Sequence, residues 1–350
     1  MFNLQNILRP NIQKLVPYSS ARDEFSGEAS IYLDANENSL GSPTLKWYNR
    51  YPDPLQLKVK EKLSAIKGVP VDHIFLGNGS DEPIDIVFRA VCTPGVDNII
   101  ICPPTYGMYE VSANINDVAI KKVPLTSAFQ LDLEAIEHAI DPYTKIIFIC
   151  SPNNPTGNSL NRQDIEVILN NFDGLVVVDE AYINFSKQRS FTTELNEYPN
   201  LVVLQTLSKA WGMAGVRIGM AFASKEIISI MNKIKAPYNI SEPAQEQALS
   251  ALEHLDEVND MIRLLISERT ILENKLAALS IVEKVYPSDT NFLLVKMIDG
   301  NKIYQFLSDK GIIVRNRSSV KMCENSLRIT IGTPSENLEL MKALEEYQKA

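Results

Sequence analysis

From about residue 70 to residue 225, short unbroken apolar runs alternate with segments whose apolar positions recur every three or four residues. The runs are "HIFLGN", "NIIICPP", "KIIFICSPNN", "LVVVDEAY", "LVVLQTLSK" and "RIGMAFAS". Hydrophobicity that is continuous rather than alternating predicts strands buried on both faces of a mostly parallel sheet. Between the first two runs, "SDEPIDIVFRAV" puts Ile84, Val87, Phe88 and Val91 on one helical face, with Ser80 or Asp81 as N-cap and Pro83 in the first turn. This is the pattern of an α/β core.

After residue 243 the texture changes. "AQEQALSALEHLDEVNDMIRLLISERTILENKLAAL" contains neither Gly nor Pro, and its period predicts one long helix or two in succession. A strand ("TNFLLVKM"), a helix closed by Gly311 and two further strands ("GIIVR", "SLRITIG") follow, which reads as a smaller α+β unit. The expected division is an N-terminal arm over residues 1–30, a large domain over 31–243 and a small domain over 244–350. No internal repeat, low-complexity tract or flexible linker intervenes, so the two units are expected to pack closely.

Length and composition narrow the class. A chain of 350 residues is long for one compact core, and 45% hydrophobic with 22% charged residues is ordinary for a soluble globular enzyme. A net charge of −9 argues against general affinity for nucleic acid, though it leaves room for a locally positive pocket and an anionic small substrate. Cys92, Cys102, Cys150 and Cys323 form no C-x-x-C pair, so buried free thiols in a reducing cytoplasm are expected, and no metal. The start, "MFNLQNILRPNIQKL", lacks the pattern of a signal peptide, and no apolar run approaches the ~18 residues of a membrane span. A cytoplasmic protein with no membrane contact is the expectation.

In open α/β sheets ligands sit beyond the carboxyl ends of the strands, so the residues just after each run carry the candidate chemistry. Asp179 closes "LVVVD" and is followed by Tyr182; a carboxylate there needs a cation or several donors to offset its desolvation. "SPNNPTGN" follows "KIIFIC" as a rigid loop that could hold a cis peptide, with Asn154–Pro155 the best candidate. "GNGSDE" follows "HIFL": two glycines opening a helix, whose free N–H groups and dipole favour a phosphate. It is not G-x-G-x-x-G, and no such fingerprint occurs elsewhere, which disfavours a dinucleotide. "CPPTYGMY" brings Tyr106 to the same edge, and "TLSKAWGMAGVRIG" brings Lys209, three glycines and Arg217. A lysine nucleophile, a buried carboxylate, a phosphate cradle, an arginine, an asparagine and stacking aromatics are what pyridoxal 5′-phosphate would use: a flat heterocycle with a phosphate, an aldehyde and a basic ring nitrogen.

These segments resemble the fold-type I, pyridoxal-phosphate-dependent aminotransferases. "SPNNPTG", "VVVDEAY", "TLSKAWGMAGVRIG" and "LRITIG" match that family's motifs in order and spacing over nearly the whole chain. The resemblance implies that Lys209 is the covalent anchor of the cofactor and the base that moves the reacting proton, a role needing a neutral amine once released. It implies that Asp179 pairs with the ring nitrogen, that Tyr182 and Asn154 bond the phenolic oxygen, and that Tyr106 stacks on the ring. The backbone at Ser80 and Asp81, with Thr206, Ser208 and Arg217, would hold the phosphate. Arg328 would take the substrate carboxylate as a bidentate fork.

The stretches "LRPNIQKLVPYSSARDEF", "IYLDANENSLGSP", which contains Asn36, and "RYPDP" are closer still to the branch of the family acting on histidinol phosphate in histidine biosynthesis, with glutamate and 2-oxoglutarate as the other pair. On that likeness Asn36 would join the substrate site. Arg315, assisted by Tyr18, would bind the substrate phosphate, with Arg317 a competitor that the sequence does not separate from it. Tyr51 would reach the cofactor phosphate of a neighbouring subunit, which requires a homodimer. Aromatic-amino-acid aminotransferases and phosphothreonine decarboxylases share the same core motifs. A non-catalytic cofactor-binding module would ordinarily carry an appended DNA-binding unit, for which this acidic chain offers no candidate.

Overall fold

A computed structural model describes residues 2–18 and 30–349. Much of the expected N-terminal arm, including the "SSARDEF" part of its quoted motif, lies outside the described residues. Seven strands form the larger sheet: β1 (Ile74–Asn78), β2 (Asn98–Ile101), β3 (Ala119–Lys122), β4 (Thr144–Cys150), β5 (Leu175–Asp179), β6 (Leu201–Thr206) and β7 (Ile218–Ala223). Their order is β1-β7-β6-β5-β4-β2-β3, parallel throughout except for β7, which runs antiparallel to both neighbours. All six expected runs are strands of this sheet. The short edge strand β3, "AIKK", has no apolar run to announce it, and its residues are exposed or half-buried.

Both faces are covered, as unbroken hydrophobicity requires. Leu76, Ile147, Val176 and Val203 point into a core on one side, while Phe75, Phe148, Val177 and Val202 point into a core on the other. The helix Asp81–Val91 covers the second side, burying Ile84, Val87, Phe88 and Val91 as its spacing predicts. Ser80 is its N-cap but makes no side-chain capping bond.

A second sheet, antiparallel and ordered β10-β11-β9-β8, comprises β8 (Val282–Val285), β9 (Phe292–Met297), β10 (Arg315–Asn316) and β11 (Ser326–Thr330). Helices 255–277, 300–309 and 334–349 enclose a third core against it. The long helical stretch is two helices, Glu242–Leu252 and Leu255–Ala277. His254 occupies the N-cap position of the second helix, and its ring Nδ1 lies 2.8 Å from Glu257 Oε1. The first helix packs with the larger unit, where Ala248 and Leu252 join its core. "GIIVR" is less of a strand than its apolar run suggests: only Arg315 and Asn316 pair, at the sheet edge, and Ile313 is exposed. All four cysteines are buried and unpaired. Among the described residues, no helix is long and apolar enough to cross a membrane.

Candidate active site

The reversal of β7 brings distant segments to one place. Asn78 and Thr206 end β1 and β6, and they pair with Ile218 and Gly219 at the start of β7. Arg217, just before β7, therefore stands at the carboxyl edge of the parallel strands. There a cavity of about 610 Å³ is lined by Ser80, Asp81, Tyr106, Asn154, Asp179, Tyr182, Thr206, Ser208, Lys209 and Arg217 from the larger unit. Arg315, Arg317 and Arg328 line it from the smaller one.

At the base is Asp179, the last residue of β5, only 2% exposed. Its Oδ2 accepts a 2.7 Å hydrogen bond from the Tyr109 hydroxyl and its Oδ1 a 3.0 Å bond from the Ala181 amide. Burial pushes this carboxyl above the ordinary range, against the opposing pull of those two donors and of Lys209. Unshielded ionisation at such a site is unfavourable, and a cation at the mouth would restore it.

Lys209 sits three residues beyond β6, in a turn in which the Gly212 amide donates to its carbonyl at 3.2 Å. Its Nζ lies 5.8 Å from the centre of the Tyr182 ring. The side chain is solvent-accessible, and it lines the cavity. Surrounding protein nevertheless removes enough water that desolvation leads the lowering of its pKa, followed by the charge of Arg328. Arg217 adds to the lowering, while Asp179 and Asp81 oppose it. The direction favours the neutral amine.

Asn154 Nδ2 donates to the Tyr182 hydroxyl at 3.5 Å, and Asn154 Oδ1 accepts from Arg328 Nη1 at 2.6 Å. This chain ties the smaller sheet to the larger one. The loop that carries Asn154 has cis bonds at Ser151–Pro152 and Asn154–Pro155. Burial raises the phenols of Tyr182 and Tyr106 well above their ordinary value, so both remain protonated donors.

The anion cradle is built by close approach of backbones. Gly79, at φ +69°, donates its N–H to the Arg217 carbonyl at 2.8 Å. A Cβ there would lie 2.5 Å from the Arg217 guanidinium, and one on Gly219 would lie 2.2 Å from the Gly79 carbonyl carbon. Arg217 itself adopts φ +58°, rare for a residue with a side chain. Its guanidinium reaches Asp81 Oδ2 at 3.4 Å and Ser208 Oγ at 3.5 Å, and the Ser208 amide donates to Thr206 Oγ1 at 3.1 Å. Tyr106 donates to Asp81 Oδ1 at 3.1 Å.

The residues therefore fit pyridoxal 5′-phosphate: a buried carboxylate that forms no ion pair among the described residues, a neutral-leaning amine lining the same cavity, and an arginine-flanked cradle at a helix start. Tyr18, Asn36 and Tyr51 are not brought to this cavity. Tyr18 is 69% exposed. Asn36 and Tyr51 line a separate surface depression, where Tyr51 stacks on Tyr238 at 4.5 Å. Sequence reasoning missed Tyr109. It stands three residues after Tyr106 in "TYGMY", in the first turn of the helix Met108–Ile115, and this closeness in sequence is the available signal that both aromatics reach the same site.

Residues 43–344 match the model of the family described as aminotransferase class I and II. The histidinol-phosphate aminotransferase of Cytophaga hutchinsonii is 55% identical over 346 residues, 99% of each chain. That of Parabacteroides distasonis is 54% identical over 348 residues, covering 99% of this chain and 100% of the other. In fold, the chain is similar to the crystal structure of histidinol-phosphate aminotransferase from Sinorhizobium meliloti in complex with pyridoxal-5′-phosphate. That TM-score is 0.79, at 22% identity over 90% of each chain.

Proposed function

The chain belongs to the class I and II aminotransferases, and from that premise we infer that it transfers the amino group of L-histidinol phosphate to 2-oxoglutarate. The products are imidazole-acetol phosphate and L-glutamate, a step of L-histidine biosynthesis. The observation that carries this substrate is the full-length likeness to histidinol-phosphate aminotransferases at 54–55% identity.

Pyridoxal 5′-phosphate, when bound, supplies an aldehyde that condenses with amines and a ring that accepts the electron pair left when Cα loses its proton. The remaining work belongs to this chain. Lys209 would anchor the cofactor and, when free, would take and return the proton at substrate Cα; desolvation and then the charge of Arg328 lower its pKa, which favours the neutral amine this role needs. Asp179 would hold the ring nitrogen protonated, and its desolvated position would strengthen that pairing. Asn154 and the protonated Tyr182 would bond the phenolic oxygen, and Tyr106 would stack on the ring. Arg217, Ser208, Thr206 and the backbone at Ser80 and Asp81 would hold the cofactor phosphate, which would compete with Asp81 for Arg217.

Arg328 and Arg315, directly opposed in the register of β11 and β10, face the donor's phosphate in one half-reaction and a carboxylate of glutamate in the other.

The working unit on this reading is a homodimer in the cytoplasm, where unpaired thiols stay reduced. The stretch before the first long helix leaves Leu33, Leu40, Leu45 and Trp47 exposed at 65% or more, an apolar face suited to a second copy. Tyr51, Asn36 and Tyr18 then serve the partner's site. Residues 31–243 act as the cofactor-binding domain, joined by the helix Glu242–Leu252 whose Ala248 and Leu252 lie in the same core, so the smaller domain expected over 244–350 begins after that helix; residues 1–30 serve as an arm.

Steady-state assays with 2-oxoglutarate as acceptor test the substrate. L-Histidinol phosphate should have a far higher kcat/KM than phenylalanine or tyrosine, and the reverse order would replace this reading with an aromatic aminotransferase.

A further inference from the structure

Three arginines line one wall of the cavity, yet two would suffice for a carboxylate. Arg315 and Arg328 oppose each other across β10 and β11. Arg317 follows two residues later and lines the same cavity. Its backbone is fixed: its amide donates to the Ser326 carbonyl at 2.8 Å, and its carbonyl accepts from the Val320 amide at 2.8 Å. Next to it, the Ser318 amide donates to Asn316 Oδ1 at 2.9 Å, which locks the turn. On this fixed backbone the half-buried Arg317 side chain enters the cavity wall.

Its surroundings lack a counter-ion. Among the described residues, no carboxylate forms an ion pair with Arg315, Arg317 or Arg328. Arg317 Nε is buried with no hydrogen-bond partner, while the residue as a whole still lines the cavity. Burial, and after it the charges of Arg328 and Arg315, make the protonated guanidinium less favourable than usual. Leaving a half-buried cation unpaired beside two like charges is unfavourable unless an anion joins them.

The chemistry of the two substrates says which anion. A carboxylate has one charge and two oxygens, which one or two guanidinium forks satisfy. A phosphate monoester has three terminal oxygens and a charge of about −1.5 to −2 at neutral pH. The third fork becomes useful only when the third oxygen and the second charge are present. Resting on the substrate reading above, we propose that Arg317 is the specificity-determining arginine. It acts with Arg315 and Arg328 as a three-guanidinium clamp that favours a phosphate monoester donor over a dicarboxylic one.

The test compares wild type, Arg317→Gln and Arg317→Lys as holoenzymes, each checked for unchanged circular dichroism and cofactor absorbance. The two half-reactions are measured separately by single turnover, with L-histidinol phosphate and with L-glutamate. Unreactive probes, phenyl phosphate and maleate, are bound in parallel by calorimetry. Losing one charge-assisted contact should lower kcat/KM for L-histidinol phosphate roughly ten- to a hundredfold in Arg317→Gln. The drop for glutamate should be several-fold smaller, and affinity for phenyl phosphate should fall more than affinity for maleate. Arg317→Lys should recover part of the loss, since it keeps the charge without the fork. Equal drops for both donors, or no drop for either, would overturn the proposal. Wild type is also assayed with L-histidinol, which lacks the phosphate. If wild type shows no preference for the phosphorylated donor, the substrate reading falls and the clamp with it. If wild type shows the preference and Arg317→Gln retains it, the clamp alone is overturned.

Discussion

Replacing Tyr109 by Phe removes one oxygen from the base of the site and leaves the ring in place. The ring stacks on Phe148 at 4.7 Å and meets Tyr106 edge-on at 5.5 Å, contacts that Phe retains. What is lost is the 2.7 Å bond to Asp179 Oδ2, leaving only the Ala181 amide at 3.0 Å. A hydrogen bond to a charged group is worth about 1.5–3 kcal/mol. Losing that donor should raise the Asp179 carboxyl further, beyond the rise that burial already causes.

The sign of the stability effect follows from proton counts. Between the ordinary carboxylate range and the raised native value, the folded chain holds a proton that the unfolded chain has lost. Stability therefore falls as pH rises through that window. In Tyr109→Phe the window reaches to higher pH. Denaturant melts of the cofactor-free protein should show a larger deficit against wild type at pH 8 than at pH 5, approaching about 1.5–3 kcal/mol at the higher pH. In the holoprotein the same loss weakens the pairing with the ring nitrogen, so spectral titration should give a cofactor dissociation constant roughly ten- to a hundredfold higher. If the deficit is equal at both pH values and cofactor affinity is unchanged, the hydroxyl only fills space and the reasoning is refuted.

Asp179→Asn should cut kcat roughly a hundred- to a thousandfold, the equivalent of about 3–4 kcal/mol of preorganised electrostatics, with the circular dichroism spectrum unchanged; near-normal turnover would reduce Asp179 to a strand-end cap. Arg328→Ala should weaken both half-reactions, each by about 1.5–3 kcal/mol in single-turnover assays, since it loses the same fork in both. Mixing inactive Lys209→Ala chains with Tyr51→Ala chains, if the latter are also inactive, should restore activity through one intact site per hybrid. No recovery after verified subunit exchange would rule out a shared site. Gly219→Ala would press a methyl onto the Gly79 backbone, and calorimetry should record a loss of about 1–3 kcal/mol.

Asp179 and Lys209 were legible because each stands just past an unbroken apolar run, where a charged group at a strand end has few structural excuses. Tyr109 was not. An aromatic in a short helix reads as core, and only the bond to Asp179, 70 positions away, gives its hydroxyl a task. The direction of β7 was equally hidden: an apolar run carries no sign of orientation, yet the reversal is what places Arg217 beside Ser208. "GIIVR" misled through composition, because an edge segment can be apolar and still pair at only two residues. Tyr18, Asn36 and Tyr51 were found by likeness of motif, and their distance from the cavity is a fact of tertiary structure that no local pattern encodes.

The four solitary cysteines have a consequence for anyone who wishes to attach a probe. Burial pushes the Cys102 thiol up to about 12 and Cys323 to about 11, and it raises Cys92 and Cys150 further. Maleimides and iodoacetamides react with the thiolate, which none of these sites supplies at neutral pH. A cysteine introduced at exposed Val96 on the larger unit, or at exposed Ile298 on the smaller one, would therefore be the one that takes a dye. The native chain already serves as its own cysteine-silent background, ready for fluorescence pairs that measure the distance between its two sheets.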